Sequence, residues 1–361
     1  MQKAYLILEN GTIFEGKSFG ASGEAVGEIV FTTSMTGYVE TLTDPSYYGQ
    51  IVVQTFPLIG NYGVMKADFQ SDRPQVKAYI VREWCQEPSN FRCEGDLDTF
   101  LKENNIVGLY GIDTRQLTKI VRESGVMNGK IVCEGAGFSF EDLKSYKITD
   151  AVKNTTCDKE YTLTPEDVKI ERKIVLYDFG TKRSIARQLL KRGCEVVVVP
   201  AYTSAERVAE LAPDGIMLSN GPGDPAENTE IIAELKKLID KNIPTFAICL
   251  GHQLYALAHG ARTEKLKYGH RGANQPVTDT ETGRVYITSQ NHGYAVVNDS
   301  LGDYAKVSFV NTNDGTCEGV KYVNEKAFSV QFHPEACGGP KDPGFLFDRF
   351  VEMIDNNRKG V

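Results

Sequence analysis

From Lys173 onward, short apolar runs alternate with amphipathic segments, and this pattern restricts the fold more than any other feature of the sequence. The apolar runs predict strands at 173–177, 195–199, 215–218 and 245–248. The amphipathic segments predict helices at 185–191, 205–211 and 229–239. Such alternation is typical of a mainly parallel central sheet flanked by helices, with ligands bound at the carboxyl ends of the strands. The sequence therefore predicts an α/β fold for this region.

The strand at 245–248 runs directly into a helical pattern, with Cys249 at the turn. Leu254, Leu257 and Ala258 recur at helical spacing after it. A sharp strand-to-helix turn lifts a side chain out of the sheet and aims it at the unpaired N–H groups of the helix start, where the helix dipole favours a thiolate. We therefore expect Cys249 to be a partly exposed nucleophile. The alternative is an inert cysteine buried in an apolar strand.

A glycine-containing loop at 219–225, Ser-Asn-Gly-Pro-Gly-Asp-Pro, follows the strand at 215–218. Gly221 and Gly223 allow the backbone to approach a ligand closely and to present N–H groups that a side chain would shield. A plain Gly/Pro turn is the alternative. Because the carboxyl ends of parallel strands share one edge of a sheet, we expect this loop to lie at the same edge as Cys249.

A cysteine nucleophile needs a base, and His333 is the strongest candidate among the five histidines. It ends an apolar strand at 327–332, and Pro334 turns the chain so that Glu335 follows closely. A carboxylate in that position could hold the imidazole tautomer and stabilise the imidazolium. A lone His-Pro-Glu is also typical of a surface turn, so the inference depends on the cysteine upstream in the same α/β unit.

The other histidines receive structural interpretations. His252 lies on the predicted helix after Cys249 and is interpreted as a packing residue. His259 lies near the end of that helix, where the dipole favours a cation. His270 and His292 lie in polar stretches that predict loops, from which they could line a site without transferring a proton.

The first 150 residues predict a separate domain of mixed α+β structure. Its predicted strands are 5–8, 12–14, 28–32, 50–55, 78–82, 106–110 and 130–133. Helices are predicted at 97–102 and from an N-cap at Asp113 to Gly125. Asn10-Gly11 is a strong signal for a type I′ hairpin turn. The polar stretch 151–171 is interpreted as a linker, so the second domain would cover 172–361.

Composition and charge argue against several classes of function. The chain has a net charge of −8 and no basic block, which disfavours nucleic acid and anionic membrane as partners. The apolar run near the N-terminus is too short for a signal peptide, and no stretch approaches membrane-spanning length, so we expect a cytoplasmic protein. Eight scattered cysteines without a Cys-x-x-Cys pair indicate neither a metal site nor a disulfide framework, and we expect most of them to be packed thiols.

The motifs around Cys249 and His333 together resemble a known signature. The stretches Phe-Ala-Ile-Cys-Leu-Gly-His-Gln at 246–253 and Phe-His-Pro-Glu-Ala at 332–336 are similar to the signature pair of class I (triad) glutamine amidotransferases. That resemblance covers about residues 173–357. Further stretches resemble, more narrowly, the small, glutamine-hydrolysing subunit of carbamoyl-phosphate synthetase, and they lie at 218–225, 269–276 and 290–296.

The amino-terminal half resembles the same family independently. The stretches that are similar to the dedicated first domain of the small subunit lie at 31–38, 42–47, 60–63 and 111–115. Two positions depart from the common pattern: Ala247 stands where many members have glycine, and Cys337 stands where a serine is common. The resemblance therefore covers nearly the whole chain, as an amino-terminal small-chain domain followed by a class I glutamine amidotransferase domain.

The resemblance implies a role for individual residues in catalysis. Cys249 would attack the side-chain amide of glutamine, and His333, oriented by Glu335, would protonate the departing ammonia and then activate water. The backbone N–H groups of Leu250 and Gly223 would hold the oxyanion.

The resemblance also implies which residues contact the amino-acid end of the glutamine: Ser46, Gly221, Gln253, Asn291, Gly293 and Tyr294. Of these, Ser46 belongs to the predicted first domain. The family relationship would therefore place the site at the domain junction.

Partners and cofactors follow from the same resemblance. The chain has no Gly-x-x-x-x-Gly-Lys-Ser/Thr loop, so we expect no cofactor in this chain. The implied partner is the large ATP-grasp synthetase subunit, which would bind ATP and Mg²⁺ and make carbamoyl phosphate from bicarbonate, ATP and ammonia for arginine and/or pyrimidine biosynthesis. L-Glutamine would be the substrate of the small subunit.

Two alternatives of other classes remain at this point. A free-standing cysteine hydrolase or peptidase on a similar fold would not need the first domain and would turn over its substrate without a partner. A catalytically idle docking or regulatory subunit could keep the fold, but it would have no need of an intact set of Cys249, His333 and Glu335.

Overall fold

The structure is a computed structural model that describes residues 2–134, 140–336 and 338–360. The chain forms two compact units, Met1–Ala151 and Val152–Val361. Within the described ranges, no helix combines the length and the apolarity needed to cross a membrane.

The first unit is built on a closed barrel. The strands described in this unit are β1 (Lys3–Leu8), β2 (Ile13–Gly20), β3 (Ala25–Thr32), β4 (Gln50–Gln54), β5 (Leu58–Ile59), β6 (Ala78–Val81), β7 (Glu83–Trp84), β8 (Val107–Tyr110) and β9 (Met127–Cys133). The barrel has the order β1-β2-β8-β6-β4-β3-β9, and β9 closes it by pairing with β1. Strands β5 and β7 form a separate two-stranded sheet. The closed barrel leaves no strand edge within its own hydrogen-bonding ring.

Short helices accompany the barrel: α1 (Tyr38–Thr43), α2 (Leu97–Glu103), α3 (Thr114–Ser124) and α4 (Phe140–Ser145). The next helix, α5 (Ala151–Thr155), begins at the boundary between the units and packs in the second unit through Val152. The predicted N-cap of α3 is confirmed, because the Asp113 side chain accepts a hydrogen bond from the backbone N–H of Gln116 at 2.9 Å. Gly125 follows the last residue of α3 with φ of 93°, a conformation that favours glycine.

The hairpin between β1 and β2 differs from the type I′ turn that Asn10-Gly11 predicts. Gly11 has φ of 87°, but Asn10 is not among the non-glycine residues with positive φ, and a type I′ turn needs both. The N–H of Leu8 donates to Thr12 O, and the N–H of Gly11 donates to Leu8 O, each at 2.9 Å. The connection is therefore a three-residue loop that ends in a left-handed glycine, which gives the same strand reversal.

The second unit contains one mixed sheet of ten strands. They are β10 (Tyr161–Leu163), β11 (Arg172–Asp178), β12 (Cys194–Pro200), β13 (Gly215–Leu218), β14 (Thr245–Ile248), β15 (Thr263–Asp279), β16 (Val285–Val296), β17 (Ala305–Asn311), β18 (Cys317–Tyr322) and β19 (Ala327–Val330). The order is β10-β12-β11-β13-β14-β19-β18-β17-β15-β16. Five neighbouring strands in this order, β12-β11-β13-β14-β19, pair in parallel. The remaining pairs are antiparallel.

Helices cover both faces of the parallel strands: α6 (Arg183–Leu190), α7 (Ala205–Glu210), α8 (Thr229–Ile239), α9 (Leu250–Ala258) and α10 (Phe345–Lys359). Successive residues of β14 enter opposite cores. Phe246 packs with α10 residues such as Phe347 and Phe350, whereas Ala247 faces the core that contains α8 and α9. Burial on both faces explains why this strand is apolar throughout and does not alternate with polar residues.

The parallel register aligns the carboxyl ends of four strands. Tyr177 of β11 is opposite Leu218 of β13, Leu218 is opposite Ala247 of β14, and Ile248 is opposite Val330 of β19. The segments that follow these strands therefore leave the sheet at one edge. That edge holds the glycine loop, Cys249 and the His-Pro-Glu segment.

Two stretches differ from what their sequence predicts. The segment 151–171, interpreted as a linker, contains α5 and β10, and Tyr161 of β10 pairs with Val198 of β12. His270 and His292, predicted in loops, lie opposite each other on β15 and β16. The glycines near them mark irregular strands, because the register shifts between Lys265 and His270 and again after Gly272.

Candidate active site

Cys249 lies at a strained turn between β14 and α9. Its backbone has φ of 54° and ψ of −106°, values that a residue with a side chain rarely adopts. The Cys249 N–H donates to Val330 O of β19 at 2.8 Å, which ties the turn to the neighbouring strand. This is the geometry of a nucleophile elbow, as the strand-to-helix pattern predicts.

The close approach of α9 to the sheet requires glycine at position 251. A Cβ atom there would lie 2.6 Å from Leu218 O of β13. The Gly251 N–H instead donates to Ser219 O at 2.9 Å, which joins the first turn of α9 to the glycine loop. The N–H group of Leu250 belongs to the same first turn, where N–H groups have no partner within the helix.

The Cys249 side chain is only 2 % exposed, so the expectation of a partly exposed sulfur is wrong. Its Sγ lies 3.7 Å from Asn291 O on β16. The elbow turn therefore directs the sulfur toward a covering strand and away from solvent. Burial alone matches the inert-cysteine alternative, but the strained backbone of an elbow separates Cys249 from the packed thiols.

Two other cysteines of the second unit behave as packed thiols. Cys194 and Cys317 are fully buried, and burial raises the pKa of Cys194 to about 11 and that of Cys317 to about 12. Such thiols carry little thiolate near neutral pH. Cys337, the residue that departs from the family pattern, lies outside the described residues.

His333 follows β19 at the same edge of the sheet. Ile248 of β14 is paired with Val330 of β19. Cys249 comes one residue after Ile248, and His333 comes three residues after Val330. Strand β16 contacts both residues, because Ser289 O accepts from the His333 N–H at 2.9 Å and Asn291 O lies against the Cys249 sulfur. Adjacent strands and a common covering strand thus bring the predicted nucleophile and base together.

The His333 side chain is 2 % exposed, and one of its ring nitrogens has a partner. Its Nδ1 lies 2.8 Å from Glu335 Oε1. Its Nε2 is buried and forms no hydrogen bond with any group in the described part of the chain. A carboxylate on Nδ1 fixes the proton there, so Nε2 is the nitrogen that can accept and return a proton.

Lys182 is a member of the site that the sequence does not reveal. It is the N-cap residue of α6, and its Nζ lies 2.7 Å from Glu335 Oε1. Burial by itself would raise the Glu335 pKa, but Lys182 and His333 outweigh burial and lower that pKa to about 2. The carboxyl group is therefore ionised at neutral pH although its side chain is completely buried.

Two of the remaining histidines have structural roles. His252 is fully buried, its Nδ1 lies 2.8 Å from Ser329 Oγ, and burial lowers its pKa to about 3. His259 pairs with Glu325 at 2.6 Å through Nε2 and with Tyr255 O at 2.9 Å through Nδ1. Packing explains His252 as predicted, and Glu325 adds a carboxylate partner to the helix-end explanation of His259.

The glycine loop shows why its glycines are needed. A Cβ atom on Gly221 would lie 2.2 Å from Phe179 O, so no other residue fits without a backbone shift. Gly223 has φ of 90°, in the region that favours glycine. The loop follows β13, immediately beside the elbow strand β14.

Four of the residues implied in glutamine binding lie around the elbow. Gln253 is on α9, and Asn291, Gly293 and Tyr294 are on β16. The Gln253 amide nitrogen donates to Tyr294 O at 2.7 Å and to Gln331 Oε1 at 2.8 Å. These bonds fix the Gln253 side chain with its oxygen as the remaining polar atom.

Ser46 is the predicted site residue of the first unit. It lies in a short 3₁₀ turn at Pro45–Tyr47, and its N–H donates to Asp44 Oδ1 at 2.9 Å. Its side chain is 9 % exposed. Its contact with glutamine stays a prediction.

A cluster of metal-ligand type occurs on the antiparallel part of the sheet. Among the described residues, the His/Cys/Asp/Glu groups whose ligand atoms converge are His270, His292 and Glu318, on β15, β16 and β18. They are separated by 22 and 26 residues in the sequence, without a local motif that would have indicated them. The sequence therefore carries no local signal for this cluster.

Comparison with known proteins assigns both halves of the chain. Residues 6–131 match the family "Carbamoyl-phosphate synthase small chain, CPSase domain", and residues 175–353 match "Glutamine amidotransferase class-I". Together these matches include the barrel, the glycine loop, the elbow and the His-Pro-Glu segment.

Whole-length relatives agree with that assignment. The chain is 52 % identical to a carbamoyl phosphate synthase small chain of Clostridium perfringens, over 97 % of this chain and 99 % of the relative. It is 52 % identical to the protein of that name from Bacillus thuringiensis, over 99 % and 97 %. It is 50 % identical to the one from Fusobacterium nucleatum, over 99 % and 100 %. The chain belongs to the carbamoyl-phosphate synthase small chain family and carries its class I glutamine amidotransferase domain.

Proposed function

We propose that this chain hydrolyses L-glutamine to glutamate and ammonia through a cysteinyl thioester. One observation carries the proposal: His333 has Nδ1 held by Glu335 at 2.8 Å and a buried Nε2 without a hydrogen bond among the described residues, at the sheet edge where Cys249 occupies a strained elbow. A nucleophile, a base with one working nitrogen and an orienting carboxylate are the parts of a hydrolytic triad.

The first half of the reaction makes the thioester. Cys249 attacks the side-chain carbonyl carbon of glutamine, and its proton goes to Nε2 of His333. The resulting imidazolium gives that proton to the amide nitrogen as the C–N bond breaks, so ammonia leaves and the glutamyl group stays on sulfur. The ionised Glu335 stabilises the transient positive charge on His333.

The second half releases glutamate. Nε2 of His333 removes a proton from water as the water oxygen attacks the thioester carbonyl. The C–S bond then breaks, and the leaving sulfur, whose charge the helix start stabilises, takes the proton back from Nε2 of His333, which restores the thiol. In both halves the carbonyl oxygen becomes negative, and the N–H groups of Leu250 and Gly223 are the proposed donors to it.

Glutamine is recognised by groups that surround the elbow. The oxygen of the Gln253 side chain would accept from the α-ammonium group, because the amide nitrogen already donates to Tyr294 O and Gln331 Oε1. Asn291, Gly293 and Tyr294 on β16 and Gly221 in the loop would contact the rest of the amino-acid end. Ser46 is included on the family resemblance alone.

Lys182 positions the orienting carboxylate. Glu335 Oε1 is 2.7 Å from Lys182 Nζ and 2.8 Å from His333 Nδ1, so one oxygen contacts both the ammonium group and the imidazole. The backbone N–H of Lys182 donates to Asn220 Oδ1 at 3.0 Å, which fixes Lys182 to the glycine loop. Lys182 thus couples the placement of Glu335 to the loop that carries Gly223.

The ammonia would be used by a partner. The relatives are named as chains of carbamoyl phosphate synthase, and we propose that this chain docks on the large synthetase subunit, which would hold ATP and Mg²⁺ and make carbamoyl phosphate from bicarbonate. Ammonia released into water at neutral pH would be mostly protonated, so direct delivery keeps it nucleophilic. The product would serve arginine and/or pyrimidine biosynthesis.

The test is to replace the nucleophile and offer two nitrogen sources. Cys249→Ser, assembled with the large subunit, should lose glutamine-dependent carbamoyl phosphate formation, because a serine hydroxyl is far less ionised than a thiol. Synthesis from ammonium chloride should continue at the wild-type rate, since a one-atom change should not disturb docking.

Each competing function predicts another result. A free-standing hydrolase would form no complex and show no rescue by ammonium. An idle docking subunit would show no effect of Cys249→Ser with either nitrogen source. Equal loss with both sources would contradict the proposed separation of glutamine hydrolysis from synthesis.

A further inference from the structure

Three buried side chains, His270, His292 and Glu318, converge from separate strands. His270 Nδ1 lies 3.4 Å and His292 Nε2 lies 3.8 Å from the same oxygen, Glu318 Oε1. The two rings are nearly perpendicular, with centroids 4.9 Å apart. One ligand atom from each residue lies within 4.8 Å of the others, and the Glu318 side chain is completely buried.

The outward nitrogen of each ring is held by an oxygen atom. His270 Nε2 lies 2.9 Å from Asp314 Oδ2, and His292 Nδ1 lies 2.8 Å from Tyr294 O. A carbonyl and a carboxylate only accept, so each ring keeps its proton on the outward side. A metal ion at the centre would then meet the lone pairs of the inward nitrogens. Histidines that bind metals almost always donate their other N–H to a carboxylate or a carbonyl in this way.

A fourth acceptor faces the same centre. Gln290 Oε1 lies 3.2 Å from His292 Nε2. The orientation of that amide is fixed, because its nitrogen donates to Thr288 Oγ1 at 3.2 Å, and the Thr288 hydroxyl gives its own proton to Gln275 O at 2.9 Å. The Gln290 oxygen therefore has to point toward His292.

The centre consists of acceptors with little to satisfy them. His270 Nδ1 and Glu318 Oε2 form no hydrogen bond in the described part of the chain. Asn311 Nδ2 donates to Glu318 Oε1, but at a long 3.4 Å. Two imidazole lone pairs, a carboxylate and an amide oxygen repel one another unless a positive charge lies between them.

We propose that His270, His292 and Glu318 bind a divalent transition-metal ion of the Zn²⁺ type, with the Gln290 oxygen as a fourth ligand. Two imidazoles and a carboxylate form a ligand set that Zn²⁺ uses in proteins. The carboxylates of Glu318 and Asp314 balance the charge of a dication. Ligand bonds of about 2.0–2.2 Å place the ligand atoms of a tetrahedral site about 3.3 Å apart, close to the 3.4 Å and 3.8 Å of this cluster.

The metal would have a structural role next to the active site. It would link β15, β16 and β18, and β16 carries Asn291, whose carbonyl oxygen lies against the Cys249 sulfur. No step of glutamine hydrolysis would pass through it. The inference is therefore independent of the proposed function.

The test uses Co²⁺, whose visible ligand-field absorption reports coordination by nitrogen and oxygen. The full chain with Cys249→Ser, which removes the nucleophilic sulfur as a competing ligand, is stripped with a chelator and titrated. One equivalent per chain should bind. Glu318→Gln and His270→Gln should each weaken binding by about 100-fold or more, because a bond to the metal is lost. Asp314→Asn should weaken it by about 10- to 100-fold through the ring that it orients.

Matched controls come from another buried His–Glu pair. Glu325→Gln and His259→Gln make the same chemical changes at a pair that offers only two ligand groups. Chains with these control substitutions should bind Co²⁺ as tightly as the parent Cys249→Ser chain. Circular dichroism verifies folding. If a cluster variant does not fold, the test is the melting temperature of the parent Cys249→Ser chain, which one equivalent of Zn²⁺ should raise. The proposal would be overturned if Co²⁺ showed no saturable binding, which would mean that only protons occupy the centre. It would also be overturned if the Glu318→Gln variant bound Co²⁺ as tightly as its parent.

Discussion

Two histidine–carboxylate pairs in the second unit look alike and differ in one nitrogen. His333 Nδ1 lies 2.8 Å from Glu335, and His259 Nε2 lies 2.6 Å from Glu325. The second nitrogen of His259 is used by Tyr255 O at 2.9 Å, whereas the second nitrogen of His333 has no partner among the described residues. A histidine with both nitrogens engaged can stabilise a helix end, but only one with a working nitrogen can move a proton.

The most direct test of this difference is to replace each of the two histidines, His333 and His259, by asparagine. His333→Asn should lower glutamine turnover by roughly 10²-fold or more with a much smaller change in KM, because proton transfer is lost and binding is kept. His259→Asn should leave turnover within a few-fold and should reduce thermal stability, because Glu325 loses a partner. Steady-state glutaminase assays and melting curves on both variants supply the measurement. Equal losses of turnover would contradict the assignment of the base.

The carboxylates differ in their second partner, which allows a finer test. Glu335 pairs with Lys182 at 2.7 Å, and Glu325 accepts from the Tyr255 hydroxyl at 2.7 Å. Lys182→Met should lower turnover by about tenfold, the equivalent of one pKa unit of charge stabilisation. Tyr255→Phe is the matched control and should leave the turnover number unchanged. A normal rate for Lys182→Met would show that His333 alone positions Glu335.

The same variant changes the pH dependence of folding. The Glu335 pKa is lowered from 4.5 to about 2, so its contribution to the free energy of unfolding is complete above 4.5 and is lost as pH falls toward 2. Lys182→Met removes the larger of the two opposing charges and should raise that pKa. Urea unfolding at a series of acid pH values should therefore show a weaker pH dependence in the variant.

His252 extends the comparison to a buried histidine that has no carboxylate, and it should show the smallest effect on turnover. Burial lowers its pKa from 6.5 to about 3, so the folded protein excludes a proton that the unfolded chain accepts. The free energy of unfolding should fall as pH drops below 6.5. The slope with pH should be at most that produced by a difference of one bound proton between the unfolded and folded states. His252→Gln should remove that slope and change turnover by less than a few-fold. Urea unfolding between neutral and acid pH measures the effect, and a larger loss of turnover than in His333→Asn would refute this assignment.

The elements that the sequence predicted well are those whose physics is local. Strands β13 and β14 and helix α8 have their predicted bounds, because burial on both faces produces continuous apolar runs and the amphipathic helix has a clear period. The elbow and the His-Pro-Glu segment were found for a related reason, since each places its chemistry within a few residues of a strand end.

The remaining features depend on contacts between distant parts of the chain. Lys182 and Glu335 are separated by 153 residues, and no local pattern marks the lysine as a partner of a buried carboxylate. His270 and His292 were predicted in loops because their neighbours are polar and glycine-rich. In the structure both histidines are buried on paired strands, and the partners of their outward ring nitrogens come from the tertiary fold.

The backbone of Cys249 has a consequence for the evolution and engineering of this fold. A side chain held at φ of 54° and ψ of −106° opposes folding, and such conformations typically cost about 1–3 kcal/mol. The surrounding strands must supply that free energy, so the proposed nucleophile lies at a strained position of the backbone. Glycine would relieve the strain at this position, so a cysteine here exchanges stability for the proposed activity. Stabilising variants of this chain are therefore better sought in the surface of the barrel than near the elbow.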